Sequence, residues 1–180
     1  KRTGWPRERV FGQAGGLDAS RMATFIAMAT GFSTRDITTI VLGGHGDAMV
    51  PLPRYTAVAG IPITEILPED RIRALIERTR TGGAEIVAHL KTGSAYYAPA
   101  AAVVEMIEAV LLDEKRVLPC AAYLDGAYGV EGGYSGVPVK LGRRGVEEIL
   151  ELKLTEDEQR AFRASADAVR ASVNALKDPA

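Results

Sequence analysis

The sequence predicts an α+β domain in which antiparallel strands pack against long helices. One observation favours this class and a second favours a single domain. The apolar runs typical of strands do not alternate regularly with helical segments, as they would in a doubly wound parallel sheet. The chain also contains no internal repeat and no linker that would divide it. Its 180 residues are enough for one domain with a proper core, so we expect residues 1–180 to form a single domain.

The first helix is predicted over residues 17–31. Gly31 suits its C-terminal end, because a residue without Cβ tolerates the left-handed conformation that ends many helices. The β-branched run of residues 37–42 indicates a buried strand. A second short strand is expected over residues 49–57, where Pro51 and Pro53 indicate an edge position or a bulge.

Two more helices are predicted in the middle of the chain. The first opens at Pro68 and runs to about Lys91, and the pair Gly82-Gly83 is expected to bend or break it. The second covers residues 99–113, since proline is acceptable in the first turn of a helix.

The C-terminal third is predicted to contain a hairpin and a long helix. Residues 117–124 and 137–141 indicate two strands, joined by a glycine-rich loop over residues 126–136. Thr155 and Glu158 have the spacing of a capping box at the start of the last helix. Its expected apolar stripe consists of Phe162, Val169, Val173 and Leu176.

Composition limits the possible partners. A formal net charge of −1 gives no electrostatic reason to expect nucleic acid or an acidic membrane surface. The most apolar stretch, residues 95–104, is too short to span a bilayer.

Cys120 is the only cysteine, so no internal disulfide can form, and a reduced, cytoplasmic setting is expected. The chain starts without an initiator methionine or signal sequence, which indicates a fragment or a processed piece.

Two charged residues fall on the apolar face of the first helix. That face is defined by Met22, Phe25 and Ile26, and helical spacing places Asp18 in its middle and Arg21 at its edge. Buried ions need a partner or a ligand. One explanation is an internal Asp18–Arg21 ion pair. In the other, Asp18 orients a histidine and the planar guanidinium of Arg21 holds a carboxylate.

His45 lies in the sequence Gly43-Gly44-His45-Gly46-Asp47, directly after a predicted buried strand. Glycines on both sides let a ligand and the backbone approach the imidazole closely. A packed or surface histidine is the competing interpretation. His89, within a predicted helix, is assigned to packing or the surface. Two histidines and one cysteine, all far apart in sequence, do not indicate a metal site.

Several motifs together resemble the lactate/malate dehydrogenase family. They are Arg9-Val10-Phe11-Gly12, Leu17-Asp18-Ala19-Ser20-Arg21 and Gly43-Gly44-His45-Gly46-Asp47, in this order and at similar spacings. Met49-Val50-Pro51-Leu52-Pro53 and Leu90-Lys91-Thr92-Gly93-Ser94-Ala95-Tyr96-Tyr97-Ala98-Pro99 look like its malate dehydrogenases of the lactate dehydrogenase-like type. The resemblance extends over essentially the whole chain and implies the family's C-terminal, substrate-binding and catalytic domain.

The resemblance also implies roles for individual residues. His45 would be the acid/base, close to the nicotinamide of NAD, and Asp18 would hydrogen-bond its ring. Arg21 would bind the carboxylate of malate or oxaloacetate. Ser94 and Ala95 would help to form the substrate pocket, the small Ala95 leaving room for a second carboxylate; they could also be plain helix-entry residues.

The family's dinucleotide-binding Rossmann half has no counterpart in the sequence, since no G-x-G-x-x-G lies between a strand and a helix. A partner N-terminal NAD-binding domain is therefore expected, together with a homodimer or homotetramer. Two alternatives remain open. One is a lactate or other 2-hydroxyacid dehydrogenase domain, and the other a non-catalytic oligomerisation domain of the same fold.

Overall fold

The computed structural model describes residues 4–92 and 96–176. The helices in these ranges are α1 (Gly16–Thr30), α2 (Ile63–Ile66), α3 (Glu69–Leu90), α4 (Tyr97–Leu111) and α5 (Glu156–Asn174). The strands are β1 (Gly12–Gln13), β2 (Ile37–Thr38), β3 (Val41–Gly43), β4 (Met49–Pro51), β5 (Ala57–Val58), β6 (Ile61–Pro62), β7 (Arg116–Asp125), β8 (Glu131–Gly142) and β9 (Gly145–Ile149). No helix in the described part of the chain is both long enough and apolar enough to cross a membrane.

Every strand pairing in the described residues is antiparallel. The main sheet has the order β1-β7-β8-β3-β4, and β9 also pairs with β8. A smaller sheet has the order β2-β5-β6. Helices and antiparallel strands in these proportions confirm the predicted α+β class.

The hairpin of β7 and β8 is longer than the sequence predicted. The expected loop over residues 126–136 is largely strand, because β8 already begins at Glu131. Tyr123 pairs with Tyr134 across the ladder and their rings meet edge-on at 5.4 Å, which compensates for the weak strand preference of the glycines beside them. The turn itself is closed by the Gly126 N–H, which donates to the Val130 carbonyl. β9 was not predicted at all.

The predicted strand over residues 37–42 is wrong as a single element. It divides into β2 and β3, which belong to different sheets. Between them the Thr39 hydroxyl donates to the Ala19 carbonyl of α1, and the Ile40 carbonyl accepts from Leu52 N–H. The strand expected over residues 49–57 is likewise interrupted, since Pro53 opens a single 3₁₀ turn, Pro53–Tyr55.

The helix predictions hold more closely. Gly31 ends α1 with φ at +78°, the left-handed conformation expected there. The capping box at α5 is present in both directions between Thr155 and Glu158. The expected break at Gly82-Gly83 is wrong: α3 continues through both glycines, and Gly82 is buried.

The core consists of two clusters separated by the β3–β4 hairpin. Leu42 and Val50 face the cluster that lies between the sheet and helices α4 and α5. Val41 and Met49 face the cluster formed with α1 and α3. Alternate residues of each strand thus serve opposite clusters, as strand geometry requires. The connection of this hairpin, which carries His45, is therefore anchored by packing on both faces.

Two further expectations concern burial. Cys120 is a core residue, as predicted, and its burial raises the pKa of the thiol to about 12. The apolar stripe of α5 is only partly buried. Phe162 is fully enclosed, whereas Val173 and Leu176 are mostly exposed, because Val173 lies in the last turn of the helix and Leu176 beyond its end.

Candidate functional site

The β3–β4 hairpin presents His45 at the end of a buried strand. His45 precedes a 3₁₀ turn, Gly46–Ala48, that returns the chain to β4. Gly43 has a φ of +82°, and a Cβ there would lie 2.4 Å from the Ser165 Oγ. A side chain at this position would be both strained and obstructed, so the strand can turn toward His45 only with glycine.

Helix α1 places Asp18 directly beneath the histidine. Asp18 is completely buried, and its Oδ2 lies 2.9 Å from His45 Nδ1. Its Oδ1 accepts a hydrogen bond from Arg21 Nη1 at 3.2 Å. The two explanations that the sequence left open thus occur together, since one carboxylate contacts both the histidine and the arginine.

Helix α3 encloses Arg21. The Arg21 side chain is 8% exposed, and its Nη1 also donates to the Thr79 carbonyl of α3 at 3.4 Å. A Cβ on Gly82 would lie only 2.5 Å from Arg21 Cδ. The glycine expected to break the helix instead leaves space for the arginine. Thr79 and Gly82 were missed from the sequence, although a glycine inside a helix often marks a close approach.

A third missed residue is Ser165 on α5. Its hydroxyl accepts a hydrogen bond from the Gly44 N–H at 2.8 Å, across 121 residues of sequence. Ser165 is buried. Its position three residues after Phe162, on the inward side of an amphipathic helix, was the available signal.

The other residues singled out from the sequence are Ser94, Ala95 and His89. Ser94 and Ala95 lie outside the described residues. His89 is exposed on α3, in agreement with its assignment to packing or the surface. Within residues 4–92 and 96–176, no three His, Cys, Asp or Glu side chains are grouped so that they could hold a metal ion.

The geometry defines what the cluster can do chemically. The buried carboxylate accepts from the imidazole Nδ1–H, which fixes the ring and leaves Nε2 to exchange a proton. The His45 side chain is 51% exposed, so a ligand can reach it. A protonated His45 and Arg21 together carry one more positive charge than Asp18 cancels. The site is therefore suited to acid/base chemistry on a small anion.

Comparison with known proteins places this centre in a family. The sequence model of the lactate/malate dehydrogenase alpha/beta C-terminal domain matches residues 16–179. The malate dehydrogenase of Heliobacterium modesticaldum is 59% identical over 170 residues, covering 94% of this chain and 55% of that protein. The chain thus spans about half the length of the curated relatives it matches.

Solved structures give the same result. The malate dehydrogenase from Salinibacter ruber is 50% identical with a TM-score of 0.93, over 96% of this chain and 56% of that one. The lactate dehydrogenase from Cryptosporidium parvum, complexed with lactic acid and nicotinamide adenine dinucleotide, is 42% identical with a TM-score of 0.93, over 99% and 58%. The chain belongs to the lactate/malate dehydrogenase family and corresponds to its alpha/beta C-terminal domain.

Proposed function

We propose that this chain is the substrate-binding and catalytic half of an NAD-dependent malate dehydrogenase, which interconverts malate and oxaloacetate. The observation that carries the proposal is the buried Asp18 carboxylate, which contacts the His45 ring with one oxygen and Arg21 with the other. Desolvating a carboxylate is costly. A domain without chemistry would gain nothing by doing so beneath a half-exposed histidine.

His45 is proposed as the acid/base. In the direction of malate oxidation, its Nε2 removes the proton of the C2 hydroxyl, and in reverse it returns that proton to the carbonyl oxygen. Asp18 keeps Nε2 directed at the substrate and stabilises the imidazolium that forms. Bound NAD supplies the hydride acceptor, and NADH the hydride donor.

Arg21 is proposed to bind the C1 carboxylate of the substrate. Its planar fork can offer two parallel hydrogen bonds, and the hydrogen bonds that it makes within the described residues, to Asp18 and Thr79, both leave from Nη1. Ser94 and Ala95 are proposed to line the pocket for the rest of the substrate. A small side chain at Ala95 leaves room for the second carboxylate.

The surroundings of His45 fit the nicotinamide end of NAD. The imidazole is half exposed, and a Cβ on Gly46 would meet no atom within 4 Å, so a planar ring has room beside the histidine. We propose that a separate N-terminal NAD-binding domain holds the rest of the dinucleotide. The lactate dehydrogenase neighbour is described as complexed with nicotinamide adenine dinucleotide, which supports this cofactor.

Self-association as a homodimer or homotetramer is proposed as well. Val104, Ile107 and Leu111 of α4 are about half to three-quarters exposed, more apolar surface than one helix of a monomer usually shows. The likeness to a lactate dehydrogenase keeps lactate/pyruvate as the second candidate for the substrate. Both candidates share the roles of His45, Asp18 and Arg21.

The test is NADH oxidation by the full-length protein that carries this chain, with oxaloacetate and pyruvate compared at equal concentrations. A strong preference for oxaloacetate, reduced at least a hundredfold in His45→Asn, supports the proposal. A preference for pyruvate assigns the second candidate. A folded, NADH-binding protein inactive with both would overturn the enzymatic proposal in favour of a purely structural domain.

A further inference from the structure

The hairpin that carries His45 contacts α5, a helix that the proposed chemistry does not use. Within the described residues, one hydrogen bond joins this helix to the Gly43–Gly44 end of the hairpin. The Gly44 N–H donates it to Ser165 Oγ, at 2.8 Å. Gly44 is the residue directly before His45. The hydroxyl thus holds the main chain of the histidine, whereas Asp18 holds its ring.

The fit between α5 and the hairpin is close. A Cβ on Gly43 would be 2.4 Å from Ser165 Oγ and 3.0 Å from Ser165 Cβ. A Cβ on Gly44 would be 3.4 Å from Val169 Cγ2. Gly43 therefore lets the hairpin lie against the helix, and Ser165, 4% exposed, supplies the polar group at the contact.

Helix α5 is itself firmly fixed. Glu158 in its first turn accepts two hydrogen bonds from Arg54, at 2.6 and 3.1 Å. Gln159 donates to the Tyr128 carbonyl, and the fully buried Phe162 ring lies 5.0 Å from the Tyr128 ring. A hydroxyl on a helix with these anchors is a rigid reference point for the loop that it binds.

We propose that Ser165 is a positioning residue for the acid/base, which acts by fixing the Gly44 amide and through it the backbone of His45. This inference rests on the proposed function of His45. Because proton transfer depends steeply on placement, a small backbone displacement of the histidine lowers turnover. Binding of the substrate carboxylate by Arg21 is unaffected, since Arg21 is held by α1 and α3.

The test uses Ser165→Ala in the full-length enzyme. We expect kcat to fall about tenfold while the KM for oxaloacetate changes less than about twofold. Ser172→Ala is the matched control on the same helix, because its exposed hydroxyl donates within the helix, to the Ala168 carbonyl. The control keeps the parent's kcat, and a control that falls as far as Ser165→Ala would overturn the inference.

The decisive experiment combines Ser165→Ala with His45→Asn in a double variant. If Ser165 acts through His45, the double variant is no slower than His45→Asn alone. A further tenfold loss in the double variant would show that the serine acts independently of His45, and would overturn the inference.

An independent readout is amide hydrogen exchange of the peptide over residues 43–49. Loss of the Gly44–Ser165 bond should speed exchange there about five- to tenfold, with no change in the peptides of α3. Unchanged exchange would refute the positioning contact even in an active enzyme. An inactive parent would instead refute the proposed function while leaving the exchange result interpretable.

Discussion

Asp18 Oδ2 lies 2.9 Å from His45 Nδ1, although 27 residues separate them in sequence. The carboxylate is fully buried and the imidazole is half exposed, so the pair connects the interior of the domain with its surface. The other oxygen of Asp18 contacts Arg21. The orientation of the proposed acid/base and that of the proposed carboxylate clamp therefore depend on the same buried group.

Asp18→Asn should impair both turnover and stability. The amide is neutral, so it neither stabilises an imidazolium nor balances the enclosed Arg21. We expect kcat to fall about 10²- to 10⁴-fold and the free energy of unfolding to fall by about 1–3 kcal/mol. NADH oxidation and urea unfolding of the full-length protein measure the two effects. Asp36→Asn, an exposed control, should change neither; equal behaviour of the two variants would contradict the assignment.

Gly82→Ala should weaken substrate binding. The new methyl would lie 2.5 Å from Arg21 Cδ, and the enclosed arginine must shift to accommodate it. We expect the KM for oxaloacetate to rise about tenfold, equivalent to roughly 1.4 kcal/mol of binding free energy. Initial-rate kinetics over a range of oxaloacetate concentrations measure this.

Gly83→Ala is the matched control for that change. Its Cβ would be 3.9 Å from Arg21 Nη2, which is ordinary contact. Because alanine is favoured over glycine in a helix, this variant should be more stable by about 0.5–1 kcal/mol with KM unchanged. A similar rise of KM in both variants would show that Gly82 has no special relation to Arg21.

Arg54→Met should destabilise the protein in a pH-dependent way. The Arg54 guanidinium hydrogen-bonds Glu158 and holds the pKa of that carboxyl below its ordinary value of 4.5. A lowered folded-state pKa contributes stability above pH 4.5, which is lost as the pH falls through the folded-state value. Arg54 is 45% exposed, so we expect the free energy of unfolding to fall by only about 0.5–1 kcal/mol at pH 7.

Urea unfolding of the parent and Arg54→Met between pH 7 and pH 3 measures this contribution. The difference between them should shrink as the pH falls below 4.5. Arg160→Met removes an exposed ion pair with Asp157 and serves as the control. We expect it to change the free energy of unfolding less than Arg54→Met does at every pH. A difference that grows toward low pH would contradict the role given to Glu158.

Cys120 should be inert to thiol reagents in the folded protein. Burial raises the pKa of the thiol to about 12, so only about one molecule in 10⁴ carries the thiolate at pH 8. After treatment of the folded protein with a thiol reagent at pH 8, mass spectrometry should find the Cys120 peptide unmodified. The same treatment in concentrated guanidinium should label it at once. Rapid labelling without denaturant would show that the sheet opens around this residue.

The predictable part of the fold depends on local signals. The capping box of Thr155 and Glu158, and Gly31 at the end of α1, act through neighbouring backbone groups, so their patterns identify them directly. The failures depend on distant partners. Residues 126–136 form mostly strand because Tyr134 has Tyr123 opposite it, a pairing that no local pattern reveals.

In the candidate site, too, local signals identified some residues, whereas contacts between distant segments determined others. Helical spacing was sufficient to place Asp18 and Arg21 on the inward face of α1, and the flanking glycines singled out His45. The contacts of Ser165 with Gly44 and of Gly82 with Arg21 join segments 121 and 61 residues apart, and no periodicity extends over such separations.

The sequence by itself thus determined the α+β class, the course of the main helices and the side chains proposed for the chemistry. The tertiary structure decided how a single carboxylate is shared between His45 and Arg21, and which helices enclose them. The physical reason is that spacing along a chain fixes the direction of a side chain on its own helix or strand. The partner that it meets depends on how separate elements pack.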